Sequence, residues 1–480
     1  MRTQLIIFWL GVGAVLTGCA VGPNYQRPTT VDVSSYKEAE GWVPAAPADA
    51  LDRGPWWLLF GDPLLDELQS RVEVSNQNIA IAVAAYAQAR ALVRVQQASL
   101  FPTVTLNGGA SRFKSSSSTT GSAAGFDRRI GNNYQLGIGG SWEPDVWGRL
   151  GRAAEGASAG AQASAADLAS ATLSARGELA VNYFSLRQTD AQKALLETTL
   201  TGYRRTLEIT QNRYTAGVAA KTDVLQAQTQ LATARAEGAG LARTRAQLEH
   251  AIAVLVGAAP GNFLIAPLTY AEWKPVVPEV PAGVPSTLLQ RRPDIAAAER
   301  RVAAANEQIG IAKSAYYPSL SLNASSGLGS STAAGLFNAS SSAWSLGLSA
   351  AQVLFNAGAT GARVDGARAS HEQAVARYRQ TVLSAFADVE DKLAATRVLL
   401  TQQGLRREAS QAADQVEQQV LNRYRSGQVS FTEVITAQAT ALTARRALVQ
   451  AAADRQTTAV ALIQSLGGGW QTAADAASSR

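Results

Sequence analysis

The stretch Asn212-Arg213-Tyr214-Thr215-Ala216-Gly217-Val218-Ala219-Ala220-Lys221-Thr222-Asp223-Val224-Leu225-Gln226-Ala227-Gln228 recurs 210 positions later. The second copy reads Asn422-Arg423-Tyr424-Arg425-Ser426-Gly427-Gln428-Val429-Ser430-Phe431-Thr432-Glu433-Val434-Ile435-Thr436-Ala437-Gln438. At the same offset Thr233-Ala234-Arg235 matches Thr443-Ala444-Arg445, and Leu136-Gly137-Ile138 matches Leu346-Gly347-Leu348. Further upstream Phe101-Pro102 pairs with Tyr317-Pro318, now at an offset of 216. The change of offset puts a length difference in the Ser/Gly-rich segments between these anchors, where loops absorb insertions. The chain is therefore a tandem duplication, and its fold is one unit built twice.

Each unit reads helix, two strands, very long helix, tight turn, helix. The expected strands are Thr103–Phe113, Asn133–Trp142, Ser319–Leu328 and Ala343–Val353. They alternate partly, through Val104 and Leu106, Leu136 and Ile138, Leu320 and Leu322, Leu346 and Leu348. The segments Ser115–Asn132 and Gly329–Ser342 are rich in Ser, Gly and Thr and read as exposed loops. No proline interrupts Arg152 to Arg213, and about 62 residues of helix would reach ~93 Å. Leu196, Leu200, Tyr203 and Leu207, like Val382, Phe386, Val389 and Leu393, are spaced four, three, four. That spacing is a coiled-coil seam. Glycines Gly217 and Gly427 suit the positive φ that ends a helix. Thr222 and Thr432 are placed to help cap the helix that follows, with Asp223 and Glu433 in its first turn.

The fold class is α+β, and the strands set the number of chains. Four strands cannot close a barrel with a lumen, since even eight leave room only for side chains. Open strand edges are not tolerated against lipid. Three chains would supply a twelve-stranded barrel, continued by the helices as a coiled-coil tube of quasi-sixfold symmetry. The expected domains are 1–18, a signal peptide; 19–62, a lipid anchor and extended segment; 63–256, the first repeat; 257–291, a Pro-rich linker; 292–466, the second repeat; and 467–480, a tail.

The beginning of the chain supports the membrane reading. Met1-Arg2-Thr3-Gln4 precedes an apolar run from Leu5 to Leu16, too short to span a bilayer. It ends Leu16-Thr17-Gly18-Cys19, similar to a bacterial lipobox, in which the cysteine is acylated after cleavage. Residue Ala20, rather than an aspartate, follows, which favours the outer membrane. Cys19 is the one cysteine and so forms no disulfide within the chain. The two histidines, His250 and His371, lie far apart. Neither a metal site nor a cofactor is expected. Net charge is +6 without a dense basic run, so nucleic acid is not an expected partner. No phosphate loop or Ser/His/Asp set points to an enzyme.

Longer motifs carry a family resemblance. They are Asn24-Tyr25-Gln26-Arg27-Pro28, the run from Trp56-Trp57 to Leu68, Trp142-Glu143-Pro144-Asp145-Val146-Trp147-Gly148-Arg149, Arg292-Pro293-Asp294-Ile295 and Tyr316-Tyr317-Pro318. With the duplicated Arg-Tyr-x-x-Gly turn, they closely resemble outer-membrane lipoproteins of the TolC/OprM type, also called NodT-like. The resemblance implies a homotrimeric efflux channel in the outer membrane that works with a periplasmic membrane-fusion adaptor and an inner-membrane transporter of the resistance-nodulation-division type. Type I secretion of proteins is an alternative within that reading, and a lipid-anchored structural coiled-coil trimer is one outside it. The duplicated turns, with Arg213, Tyr214, Gly217, Thr222, Arg423, Gly427 and Thr432, are the expected adaptor-docking surface. By resemblance Tyr424 would hydrogen-bond to Asp223 to hold the entrance closed, and Glu433 would belong to an acidic ring that favours cations. Val429, Thr436 and Ala439 stand where such channels carry an arginine, an acid and a second arginine, so the latch here is expected to be weaker.

Overall fold

The structure is a computed structural model and describes residues 20–29, 37, 55–114, 130–278 and 292–468. Cys19 and the expected signal peptide, most of the loop after Lys114 and the tail after Gly468 lie outside the described residues. A 3-10 turn, Trp56–Phe60, leads into α1 (Pro63–Ser75). Asp62 caps α1, its carboxylate accepting from the N–H groups of Leu64 and Leu65, and Pro63 sits where no N–H is required. Asn76 ends α1 and starts α2 (Gln77–Ala98): its side-chain oxygen accepts from Asn78 and Ile79. The hairpin β1 (Thr103–Lys114) and β2 (Ile130–Trp142) follows, then α3 (Arg149–Thr215) and α4 (Lys221–Leu255).

The second half repeats this order with α5 (Pro293–Ser314), β3 (Ser319–Ser330), β4 (Ser342–Ala351), α6 (Ala359–Arg425) and α7 (Phe431–Ser465). The long helices α3 and α6 have 67 residues each, and α4 and α7 have 35 each. This equality shows the duplication to be structural as well as sequential. The strands run further into the Ser/Gly segments than expected, because ladder hydrogen bonds involve only the backbone. The strand β4 stops at Ala351, short of the expected Val353, since Ala351 faces the first residue of β3, Ser319, and no partner lies beyond.

The described residues fall into two compact units. One comprises residues 20–29, 85–114, 130–164 and 297–378 and holds the sheet, which is antiparallel throughout in the order β1-β2-β3-β4. The segment after Ala20 is pinned within it. Arg152 is buried and donates to Glu307 at 2.7 Å and to the carbonyl of Pro23 at 3.1 Å. Val21 N–H reaches the carbonyl of Trp147. Gly22 takes φ 114°, and a Cβ there would lie 2.6 Å from Gly310 Cα, so the crossing requires glycine on both counts. The Tyr25 hydroxyl donates to Glu299 at 2.5 Å. Burial, then this bond, push its pKa upward.

The other unit comprises residues 37, 55–84, 165–278, 292–296 and 379–468, and its regular elements are helical. The expected seams are its packing faces. Leu196, Leu200 and Tyr203 of α3 form one cluster with Leu231 and Ala234 of α4 and Leu442 of α7, while Val382, Val389 and Leu393 of α6 are buried. The linker after α4 is less loose than its prolines suggest. Asp190, fully buried, accepts from Arg245 at 2.7 Å and Arg187 at 3.3 Å. These arginines donate on to the carbonyls of Ile265 and Ala266, and Glu249 accepts from Ile265 N–H. The chain between Phe263 and Leu268 is thereby fastened to α3 and α4. Among the described residues, no helix is long and apolar enough to cross a membrane.

Candidate functional site

The sheet has two chemically different faces. Residues paired across strands share a face, so the registers sort the side chains. Leu106, Ile138, Ser326 and Trp344 align on one side, as do Val104, Gly140, Ala324 and Leu346, and as do Trp142, Leu322 and Leu348. This face is apolar yet open: Trp344 is 80 % exposed and Leu106 72 %. The opposite face carries Thr105, Asn107, Gln135, Ser321, Asn323, Ser325, Ser345 and Ser349. Its hydroxyls bond one another, Ser321 with Ser349 at 2.7 Å and Ser325 with Ser345 at 2.8 Å. Strands β1 and β4 each pair on one side only.

The two helix–helix turns share one backbone. Gly217 has φ 75° and Gly427 φ 74°. Gly217 N–H donates to Tyr214 O and Val218 N–H to Arg213 O; in the second copy Gly427 donates to Tyr424 and Gln428 to Arg423, each at 2.9 Å. These closures satisfy the last carbonyls of α3 and α6. The caps that follow differ from expectation. Thr222 and Thr432 lie inside their helices, and the N-cap positions belong to Ala220 and Ser430. Ala220 offers no side-chain cap. At the second turn Glu433 accepts from both the N–H and the hydroxyl of Ser430, at 3.2 Å each. Glu433 is exposed and so combines a capping contact with a charge open to solvent.

Side chains break the symmetry that the backbone keeps. Arg213 places its guanidinium 4.7 Å from the centre of the Tyr424 ring and donates to the Tyr424 carbonyl at 2.7 Å. Tyr424 is 5 % exposed and packs with Phe431, Val434 and Ala227. Its hydroxyl is buried and has no hydrogen-bond partner among the described residues. The expected bond from Tyr424 to Asp223 is therefore not made. The ring is drawn into an apolar pocket completed by Phe431, and the Asp223 N–H closes locally on Ala220. Val429, where the resemblance expects an arginine, packs against the same cluster, and the Thr436 hydroxyl is held by the Thr432 carbonyl. In the other copy Arg423 is exposed, and Tyr214 is 46 % exposed. Sequence reasoning missed Phe431 and the link between Arg213 and Tyr424. The available signal was the replacement of Lys221 by Phe431 within an otherwise well-matched repeat.

Comparison with known proteins bears on both regions. The family model described as outer membrane efflux protein matches residues 68–258 and again 284–468, once per repeat. The toluene efflux pump outer membrane protein TtgC of Pseudomonas putida is 32 % identical over 461 residues, covering 95 % of this chain and 94 % of that protein. The cation efflux system protein CusC of Escherichia coli is 29 % identical over 460 residues, covering 96 % and 98 %. The solved structure of the outer-membrane channel OprN superposes with a TM-score of 0.84 at 30 % identity, over 95 % of this chain and all of that one.

Proposed function

Because the chain belongs to the outer membrane efflux protein family, we propose that three copies build a passive duct through which small molecules leave the cell. The observation that carries this is the sheet, with a hydroxyl face, an apolar face and two unpaired edges. In a bilayer an open edge leaves backbone groups without partners. Pairing β4 of one copy with β1 of the next removes every edge when the ring closes. The apolar face then meets lipid, and the hydroxyl face lines water. A lipid-anchored spacer has no use for such a sheet. The duct does no chemistry of its own. Its energy comes from an inner-membrane transporter of the resistance-nodulation-division type, met through a periplasmic adaptor at the turns around Gly217 and Gly427. One similar protein is named for toluene and another for cations, which suits a conduit whose cargo is chosen by the transporter.

Lipid anchoring belongs to the same reading. The segment after Ala20 is fixed by Arg152, Trp147 and Glu299, so acyl chains on Cys19 would enter the membrane close to a fixed point. The test of the whole is the purified full chain in lipid. Light scattering should give three chains per particle, and planar bilayers should show discrete, water-sized conductance steps. Particles of another stoichiometry, or trimers that never conduct, would overturn it.

A further inference from the structure

Arg213 of the first repeat lies over the Tyr424 ring of the second, 4.7 Å from its centre, and donates to the Tyr424 carbonyl. The residues at the matching positions, Arg423 and Tyr214, are both exposed, and neither makes a side-chain hydrogen bond, ion pair or ring contact among the described residues. Both repeats carry the same Asn-Arg-Tyr-x-x-Gly sequence on the same turn backbone. The unused pair is thus the same device with its partners missing.

The sense of the contact says where those partners are. Within one chain the first hairpin presents its arginine to the second hairpin's tyrosine. In a closed head-to-tail ring every interface has the same sense. The second hairpin must then present its arginine to the tyrosine of a first hairpin, and that hairpin belongs to the next chain. We propose that Arg423 of each chain lies over Tyr214 of its neighbour, so that three contacts between chains alternate with three within them around the end of the helical bundle. The inference rests on the trimeric reading above. The contact between chains is the less supported of the two, because the first repeat carries Lys221 at the position of Phe431, the ring that packs against Tyr424. A lysine at that position offers Tyr214 no ring to pack against, so this contact is the one that gives first.

The test uses the full chain with p-benzoylphenylalanine at position 214, a photoreactive aromatic of similar shape, purified and irradiated as the assembled particle. The expected result is a band of twice the chain's mass on a denaturing gel, with the cross-link mapped by mass spectrometry to the last turn of the other chain's α6, around Arg423. Trimers that yield no such band, or whose cross-links map elsewhere, overturn this inference and leave the duct standing. Particles that are not trimers overturn the duct and this contact with it.

Discussion

At the scale of single residues, one buried hydroxyl redirects the expectation of a latch at the duplicated turns. Tyr424 buries its oxygen without a partner, so Tyr424→Phe removes an unsatisfied polar atom and keeps the ring. Its expected effect on urea stability is within ~0.5 kcal/mol or slightly favourable, and its conductance should match the parent. Arg213→Leu takes away a charged hydrogen bond and a cation over a ring. The first is worth about 1.5–3 kcal/mol and the second about 0.5–1 at a partly open site. This variant, and not Tyr424→Phe, should raise the open fraction in planar-bilayer recordings; equal openings in both would remove Arg213 from that role. Glu433 has two duties that one substitution separates. Glutamine still accepts from the Ser430 N–H, so Glu433→Gln should leave thermal stability nearly unchanged. The reversal potential across a salt gradient should shift toward lower cation preference, since in the proposed trimer three Glu433 carboxylates would surround one axis and attract cations. A shift of zero would mean that Glu433 only caps α7.

At the scale of elements, the duplication offers its own controls. Ala220 occupies the position that Ser430 holds in the second repeat and caps nothing. Ala220→Ser should therefore stabilise α4 by about 0.5–1 kcal/mol, seen as a higher urea midpoint at constant slope. The linker fastening should be far more sensitive. Asp190→Asn leaves Arg187 buried without its counter-charge and Arg245 with Glu249 alone, 3.3 Å away, a loss of about 3–5 kcal/mol, with early hydrogen exchange between Phe263 and Leu268. The amino-terminal fastening carries a pH signature. Tyr25 has its folded pKa raised, so the stabilisation it contributes is complete below its unfolded value of ~10 and declines as pH rises beyond that. The two repeats, the seams and the hairpin order were legible because periodicity of four-three-four and alternation of two report directly on buried faces. The roles of Arg213 against Arg423 and of Tyr424 against Tyr214 were not. Identical residues on identical backbones differ only in which neighbour they meet, and local sequence does not encode a neighbour. The pinning of Pro23 and Tyr25 was likewise hidden, because Arg152 and Glu299 lie more than a hundred positions away.

At the scale of the whole molecule, the question is whether the sheet's two faces meet lipid and water as assigned, and adjacent residues of one strand can answer it. Ser345 and Leu346 follow each other in β4 and therefore point to opposite faces. Ser345 bonds Ser325 on the hydroxyl face, while Leu346 is 67 % exposed on the apolar one. In the proposed ring Leu346 touches acyl chains, where an arginine costs about 2–4 kcal/mol near the midplane. Leu346→Arg should sharply reduce the fraction that folds into lipid vesicles, measured as the heat-sensitive band on a denaturing gel. Ser345→Arg meets water in the lumen, so it should fold like the parent. The three added cations should then reveal themselves by a smaller conductance and a weaker cation preference. The pair controls for charge and for strand disruption, because both variants add the same side chain to the same strand one residue apart. If Ser345→Arg fails to insert while Leu346→Arg inserts and conducts normally, the faces are reversed, and a barrel closed as proposed cannot be right.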